Sequence, residues 1–321
     1  MNTFCSMNPL VSICCITFNH KPYISQCLEG LINQNVHFDF EIIVNDDCST
    51  DGTAEIIKDY ASRYPGRFIP ILHDQNQYSR GIKRILQTFV FPRARGKYIA
   101  LCEGDDYWTD PNKLQLEVDY LENHPECGMV YTQAQVLYQS TGKIVLNESR
   151  QQDFVDILTN EDRIVTLTTC FRKELMLGYM KNIHADRNWM MGDLPWWLYI
   201  SYHSEIKLLP VVTGVYRFLD ESASHSTNVE RKVRFSKSAY SVRCFFAKLF
   251  GQEKYLKDIS IFELNDLFKI SVFYNKNLTL TIFKFAKENS LLNMKVIFKL
   301  MLYSMSCGRW FHKRKYGKAV L

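Results

Sequence analysis

Residues 98–108 read Y-I-A-L-C-E-G-D-D-Y-W. The apolar run 98–102, with Ala100 and Leu101 at its centre, has the length and composition of a buried strand. It leads directly into Glu103, Gly104, Asp105 and Asp106. In open α/β sheets ligands lie outside the carboxyl ends of the strands, so acids at such an end are aimed into a cleft. Neighbouring carboxylates repel one another unless a cation joins them. The pattern predicts a divalent metal, held by one or two carboxylates and completed by substrate phosphates, as Mg2+ usually is. Taken alone, these four residues also fit a plain turn, where Asp and Gly are common.

The flanking sequence favours the cleft. Residues 11–18, V-S-I-C-C-I-T-F, are apolar and β-branched enough for a first buried parallel strand, which stops at Asn19. Pro22 stands where a helix begins, and Ile24, Leu28, Leu31 and Ile32 recur at helical spacing. Residues 40–45, F-E-I-I-V-N, form a second strand that also ends in adjacent acids, Asp46 and Asp47, followed by C-S-T-D-G-T. Thr50 or Asp51 can cap the next helix. A cap and turn account for residues 49–53 but not for the two acids before them. A carboxylate at a strand tip can accept the imide N–H of a uracil ring, and Asp47 is assigned that role. Residues 68–72 are a third strand, then a loop with Arg80 and Gly81 leads to a helix over 82–91. Arg80 or Arg84 can meet a diphosphate with its planar fork. After Trp108, Pro111 starts a helix with Leu114, Val118 and Leu121 on one face.

Strands alternating with helices predict an α/β fold with a doubly wound, mostly parallel sheet. Neither G-x-G-x-x-G after the first strand nor G-x-x-x-x-G-K-[ST] occurs, which disfavours a dinucleotide dehydrogenase or a P-loop enzyme. The 321 residues are 46% hydrophobic and 23% charged, the composition of a folded enzyme. A net charge of +5 does not suggest a nucleic-acid partner. Beyond Glu288, however, Lys295, Lys299, Arg309, Lys313, Arg314, Lys315 and Lys318 face no acidic residue, a pattern suited to an anionic membrane surface. The 10 cysteines lack metal-site or disulfide spacing and are expected as buried thiols. No secretory leader is read at the start, and no apolar run approaches the roughly 20 residues of a membrane span, so a cytoplasmic location is expected.

Three stretches, V-S-I-C-C-I-T-F-N, N-D-D-C-S-T-D-G-T and G-K-Y-I-A-L-C-E-G-D-D-Y-W-T-D-P-N-K-L, agree in order and spacing with one family. Over about the first 125 residues the chain resembles the family 2 glycosyltransferases, which have the A-type, Rossmann-like nucleotide-sugar-binding fold. The resemblance implies a nucleotide diphosphate sugar donor, Mg2+ or Mn2+, and inversion at the anomeric carbon. It places Phe18 and Asp47 at the nucleoside, and Asp105 and Asp106 at sugar, metal and diphosphate, with Asp106 the main metal ligand; Asn19, Asp46 and Glu103 beside them are expected among the nucleotide-sugar contacts. Phe18 stands where tyrosine is frequent, and Glu103 replaces a leading aspartate.

Residues 127–138 read as another strand, 139–147 as a polar turn region, and 164–171 as a strand followed by a helix; such a segment shapes the acceptor side in that family. Residues 189–199, W-M-M-G-D-L-P-W-W-L-Y, isolate Asp193 in an apolar and aromatic setting, which raises a carboxyl pKa toward the range of a general base. Asp193 also fits the cap of a helix from Leu194 onward. The resemblance makes it the catalytic base, with Trp196 and Trp197 beside the acceptor. Residues 206–218 read as two short strands broken at Pro210, and Arg217 and His225 can reach the metal or diphosphate. From Asn228 onward the pattern is helical, with an apolar segment over 291–303.

The expected organisation is a catalytic domain over 1–226, made of a nucleotide-sugar half (1–125) and an acceptor half (126–226), with a helical, basic extension over 227–321. The expected reaction moves sugar from a nucleotide diphosphate donor, a UDP-sugar, to a hydroxyl of a glycan or lipid-linked glycan in cell-surface polysaccharide synthesis. A peripheral position on the inner face of the cell membrane goes with it. The rival is a catalytically inactive nucleotide-sugar-binding subunit of a polysaccharide-assembly complex. A sugar nucleotidyltransferase would need a Gly- and Arg-rich phosphate loop, which residues 11–21 lack.

Overall fold

The computed structural model describes residues 9–161, 163–219, 228–274 and 276–305. They fall into two compact units. The first comprises Met1–Phe154, Asp162–Arg187 and Tyr199–Leu219; the second comprises Val155–Glu161, Asn188–Leu198 and Asp220–Leu321.

The first unit carries nine strands: β1 (Val11–Thr17), β2 (Phe40–Asp46), β3 (Phe68–Leu72), β4 (Tyr98–Glu103), β5 (Tyr107–Trp108), β6 (Cys127–Tyr138), β7 (Lys143–Asn147), β8 (Thr169–Arg172) and β9 (Glu205–Phe218). They join in one sheet of order β3-β2-β1-β4-β8-β6-β9-β5, with β7 paired to β6. The run β3-β2-β1-β4 is wholly parallel. Beyond it β8 pairs antiparallel with both β4 and β6, while β6 and β9 are parallel. Helices α1 (Ile24–Ile32), α2 (Thr53–Arg63) and α3 (Lys113–Asn123) cover the parallel strands. Ile24, Leu28 and Leu31 of α1, Ile57 and Tyr60 of α2, and Leu114, Val118 and Leu121 of α3 join one core with the strand residues.

Register makes the strand ends a platform. Ile16 is level with Glu103, and Thr17 with Asp46, so the acidic tips of β2 and β4 flank the end of β1. Nearer the start of these strands, the buried Glu41 is saturated. Its carboxylate accepts from Ser12 Oγ (2.6 Å), from the Arg95 N–H (2.8 Å) and from the Arg95 guanidinium at 2.7 and 2.8 Å. A buried charge met in this way from all sides is structural.

Several elements differ from the sequence expectation, each for a local reason. The helix over 82–91 shrinks to one π-helical turn (Leu86–Val90) and a 3-10 turn (Phe91–Arg93). Pro92 has no N–H to continue the ladder, and Arg84 extends to the carbonyls of Ala185 and Asp186. The strand over 164–171 starts only at Thr169. The hydroxyls of Thr168 and Thr169 donate back to the Val165 and Thr166 carbonyls, which winds the preceding residues into a 3-10 turn. Pro210 does not break β9; it lies where pairing with β6 shifts register, so its missing N–H interrupts no regular ladder. Within 139–147 only the beginning is a turn, since Lys143–Asn147 returns as β7.

In the second unit, α7 (Val229–Leu249), α8 (Leu256–Phe273), α9 (Thr279–Glu288) and α10 (Met294–Ser304) are the principal helices; the sequence pattern marks 236–250, 259–274 and 291–303, and α9 lies between the last two. Leu264, Leu267 and Phe268 of α8 pack with Ile282 and Phe285 of α9 and with Val296, Leu300 and Tyr303 of α10. The buried Arg243 on α7 donates to the carbonyls of Ile157 and Asn160, and Trp189 lies edge-on to Phe245 at 5.1 Å between ring centroids. Among the described residues, no helix is long and apolar enough to cross a membrane.

Candidate active site

The loops after β1 and β2 are laced together. Asn19, with a left-handed φ of 55°, receives the Thr50 N–H on its Oδ1 (2.8 Å) and donates its own N–H to Ser49 Oγ (2.8 Å). Asp51 accepts from the Lys21 N–H at 2.9 Å, and its other oxygen accepts from the N–H and hydroxyl of Thr53 at 3.0 and 2.6 Å. These bonds hold the Asp51 carboxyl below its usual range although burial opposes them. Asp51 thus serves the start of α2 and the β1 loop together.

The two acids at the tip of β2 have separate work. Asp46 is buried and gives both oxygens to Ser49, one to its N–H (3.0 Å) and one to its hydroxyl. Asp47, also buried, accepts the Gln77 N–H on Oδ1 (2.6 Å) and the Tyr78 N–H on Oδ2 (3.0 Å), which draws the loop after β3 against it. Each Asp47 oxygen retains one lone pair. Phe18 is 44% exposed at the end of β1, a large aromatic face left in solvent beside that carboxylate's strand.

At the tip of β4, Gly104 is required by close approach. A Cβ there would meet Thr17 Oγ1 at 2.6 Å and Thr17 Cβ at 2.7 Å. The turn brings Asp105 and Asp106 back toward the sheet. Asp106 is 2% exposed and accepts one hydrogen bond, from the Arg217 backbone N–H at 2.7 Å. Burial, followed by the Glu103 and Asp105 carboxylates, drives its carboxyl well above the usual range, and Arg217 offsets part of this. The contrast with Glu41 is chemical: one buried carboxylate is filled with donors, the other is left open among like charges. His20 Nδ1 lies 3.8 Å from the Asp105 carboxylate and is buried without a hydrogen-bond partner. Thr17 Oγ1 is likewise buried without a partner beneath this turn.

Arg217 braces the acids. Its guanidinium donates to the Asp105 carbonyl (2.7 Å), Gln139 Oε1 (2.6 Å) and Gln26 Oε1 (2.8 Å), and lies 4.5 Å from the Tyr23 ring centroid and 5.3 Å from that of Tyr107. Arg84 is committed to the Ala185 and Asp186 carbonyls, whereas Arg80 is exposed. A groove of about 640 Å³ at the opposite end of β2, lined by Phe40, Tyr64 and Arg67, contains none of these acids.

Two open carboxylates, Asp105 and Asp106, with His20 Nδ1 at the edge, fit a hard cation that takes its remaining oxygens from substrate phosphates. Among the described residues no group of three or more His, Cys, Asp or Glu is placed to cage an ion alone. His225 lies outside the described residues.

The second unit contains Asp193. It opens α6 (Asp193–His203), and its Oδ1 accepts the Leu194 N–H at 2.8 Å. Trp196 and Trp197, expected to face an acceptor, are 5% and 0% exposed, with their rings edge to face at 6.2 Å. Of the other residues at the site, His20 and Gln26 belong to no motif and Thr17 has no role assigned within the first one; strand register and the reach of Arg217 bring them to the acids.

Residues 12–182 match the sequence profile of Glycosyl transferase family 2. An uncharacterized protein of Mycobacterium tuberculosis, Rv1520, is 35% identical over 227 residues, 69% of this chain and 62% of that protein. The chain therefore matches less than two thirds of that relative's length. The putative teichuronic acid biosynthesis glycosyltransferase TuaG of Bacillus subtilis is 28% identical over 124 residues, 39% of this chain and 46% of TuaG. Among solved structures, S. aureus TarS 1-349 in complex with UDP-GlcNAc superposes with a TM-score of 0.59 at 14% identity, covering 96% of this chain and 92% of that one. The mannosyltransferase PcManGT from Pyrobaculum calidifontis, in complex with GDP-Man and Mn2+, gives 0.56 at 16% identity, covering 98% and 89%. These likenesses give the glycosyltransferase A-type fold. With the profile spanning more than half its length, the chain belongs to glycosyl transferase family 2.

Proposed function

We propose that this protein is a metal-dependent inverting glycosyltransferase that moves a sugar from a UDP-sugar to a hydroxyl of a glycan or lipid-linked glycan in cell-surface polysaccharide synthesis. One observation carries the reading: Asp105 and Asp106 present open, mutually repelling carboxylates at the tip of β4, level with the tips of β1 and β2. The UDP-GlcNAc bound by the TarS structure and the GDP-Man and Mn2+ bound by the mannosyltransferase support a nucleotide-sugar donor and a metal. The polymer named for TuaG supports the acceptor class. The chain then acts in the cytoplasm, at the inner face of the membrane.

In this mechanism Phe18 stacks on the base and the free lone pairs of Asp47 accept the imide N–H. Asn19 and Asp46 hold the two loops in shape through Thr50 and Ser49. Arg80 reaches the diphosphate from the β3 loop, while Arg84 pins the chain after residue 182. Glu103 strengthens the negative field around Asp106, which with Asp105 would hold Mg2+ or Mn2+. When bound, the ion would supply Lewis-acid neutralisation of charge on the leaving diphosphate. Asp193 takes the proton of the acceptor hydroxyl as its oxygen attacks the anomeric carbon from the face opposite the leaving group. The bond from that carbon to the diphosphate oxygen breaks, so configuration inverts and no covalent enzyme intermediate forms.

A screen of nucleotide sugars for protection against thermal unfolding, with and without Mn2+, tests the reading. A UDP-sugar is expected to raise the unfolding temperature only when the metal is present. No protection by any donor with metal would refute it.

A further inference from the structure

We propose that the outer surface of α9 and α10 is a docking face for an anionic lipid bilayer. The inference deepens the membrane-face location given above and rests on that part of it. The buried side of α10 is Val296, Leu300 and Tyr303. The opposite side is not polar, as a solvated helix would be. Met294, Phe298, Met301 and Met305 follow one another at helical spacing and are 80%, 64%, 58% and 59% exposed, and Leu280 and Phe283 of α9 add 67% and 41%. Such contiguous apolar exposure marks an interaction surface.

Charge selects the occupant. Residues 276–305 hold Lys276, Lys284, Lys287, Lys295 and Lys299 against one acid, Glu288. A second copy of this face would set lysines against lysines. Residues 306–321 are themselves basic, with no acidic side chain, and so would be repelled in the same way. An occupant that is both apolar and anionic meets neither obstacle. A row of methionine and phenylalanine along the outer side of a helix, with Lys295 exposed at its border, is the pattern of a helix lying in a headgroup layer, where apolar burial and charge attraction act together.

The test uses the full chain in sedimentation with vesicles of phosphatidylcholine, alone or with one third phosphatidylglycerol. Binding to the anionic vesicles is expected, at least tenfold weaker on neutral ones, and falling as salt rises. The double substitution Phe298→Glu and Met301→Glu should cut it at least tenfold with the unfolding temperature unchanged, because both side chains are exposed. Equal binding to neutral vesicles overturns the proposal, as does binding unchanged by the double substitution. A dimer that the substitutions dissociate, or capture by an acidic protein without any lipid binding, overturns it in favour of that partner. Nucleotide-sugar protection measured on the same samples keeps the two readings apart. Protection without vesicle binding removes this surface alone, and vesicle binding without protection removes the transferase reading.

Discussion

Replacing Arg217 by alanine should both loosen the first unit and weaken donor binding. The side chain is 6% exposed, and its loss leaves three acceptors without their donor. Gln26 and Gln139 are exposed and rehydrate, so their bonds cost little. The carbonyl of the half-buried Asp105 loses its donor as well, and an acceptor left unmet costs up to about 1–3 kcal/mol. Losing the guanidinium from between Tyr23 and Tyr107 adds about 0.5–2 kcal/mol. The sum, about 1.5–5 kcal/mol, corresponds to a fall in Tm of roughly 3–20 °C for a unit of this size. The charge matters separately. Arg217 lowers the Asp106 carboxyl, so without it that carboxyl rises further and metal-assisted donor binding shifts to higher pH. Thermal unfolding and donor titration at several pH values measure the two effects. Arg217→Lys should recover part of the donor affinity through its charge while remaining less stable than the parent. An Arg217→Ala variant with unchanged Tm and unchanged donor affinity would refute the bracing role.

Gly104→Ala places a methyl 2.6 Å from Thr17 Oγ1, and overpacking of this kind costs about 1–3 kcal/mol. Chemical denaturation should show that loss, together with weaker donor binding because the displaced turn carries Asp105 and Asp106. In the second unit, burial first, then Asp266, raises the Glu263 carboxyl from 4.5 to about 7. A folded-state pKa above the unfolded one gives stability that is complete below about pH 4.5 and is lost as pH rises through about 7, worth about 3 kcal/mol. Glu263→Gln should flatten that slope in a series of melts from pH 4 to 8, and an unaltered slope would contradict the assignment. Asp193→Asn should abolish sugar transfer in a product assay and leave donor protection intact; loss of both would argue against its role as base.

The parallel half of the fold was legible because its strands are apolar runs, two of them closed by acids, and its helices repeat apolar residues every three or four positions. β6 was read to the residue because its side chains partly alternate between apolar and polar. What was hidden depends on local competition or on distance in sequence. Threonine hydroxyls at 168 and 169 divert the chain into a 3-10 turn, and no periodicity announces that. The site acids were visible as types at strand tips, but their division of labour was not. Asp46 and Asp47 look alike in sequence, yet one closes on Ser49 and the other on the loop after β3. Arg217 was read as a ligand contact, whereas its partners Gln26, Asp105 and Gln139 come from three separate segments. Burial is likewise invisible in the sequence: Trp196 and Trp197, an aromatic pair suggestive of a sugar platform, are 5% and 0% exposed.

The most direct test of the central claim is calorimetric titration of the full chain with a UDP-sugar, with and without Mn2+, for the parent and Asp106→Asn. The account predicts binding that requires the metal in the parent and falls in the variant by more than the roughly 10–100-fold typical of losing an outer-shell partner. Equal donor affinity with and without metal, undiminished in Asp106→Asn, would contradict it.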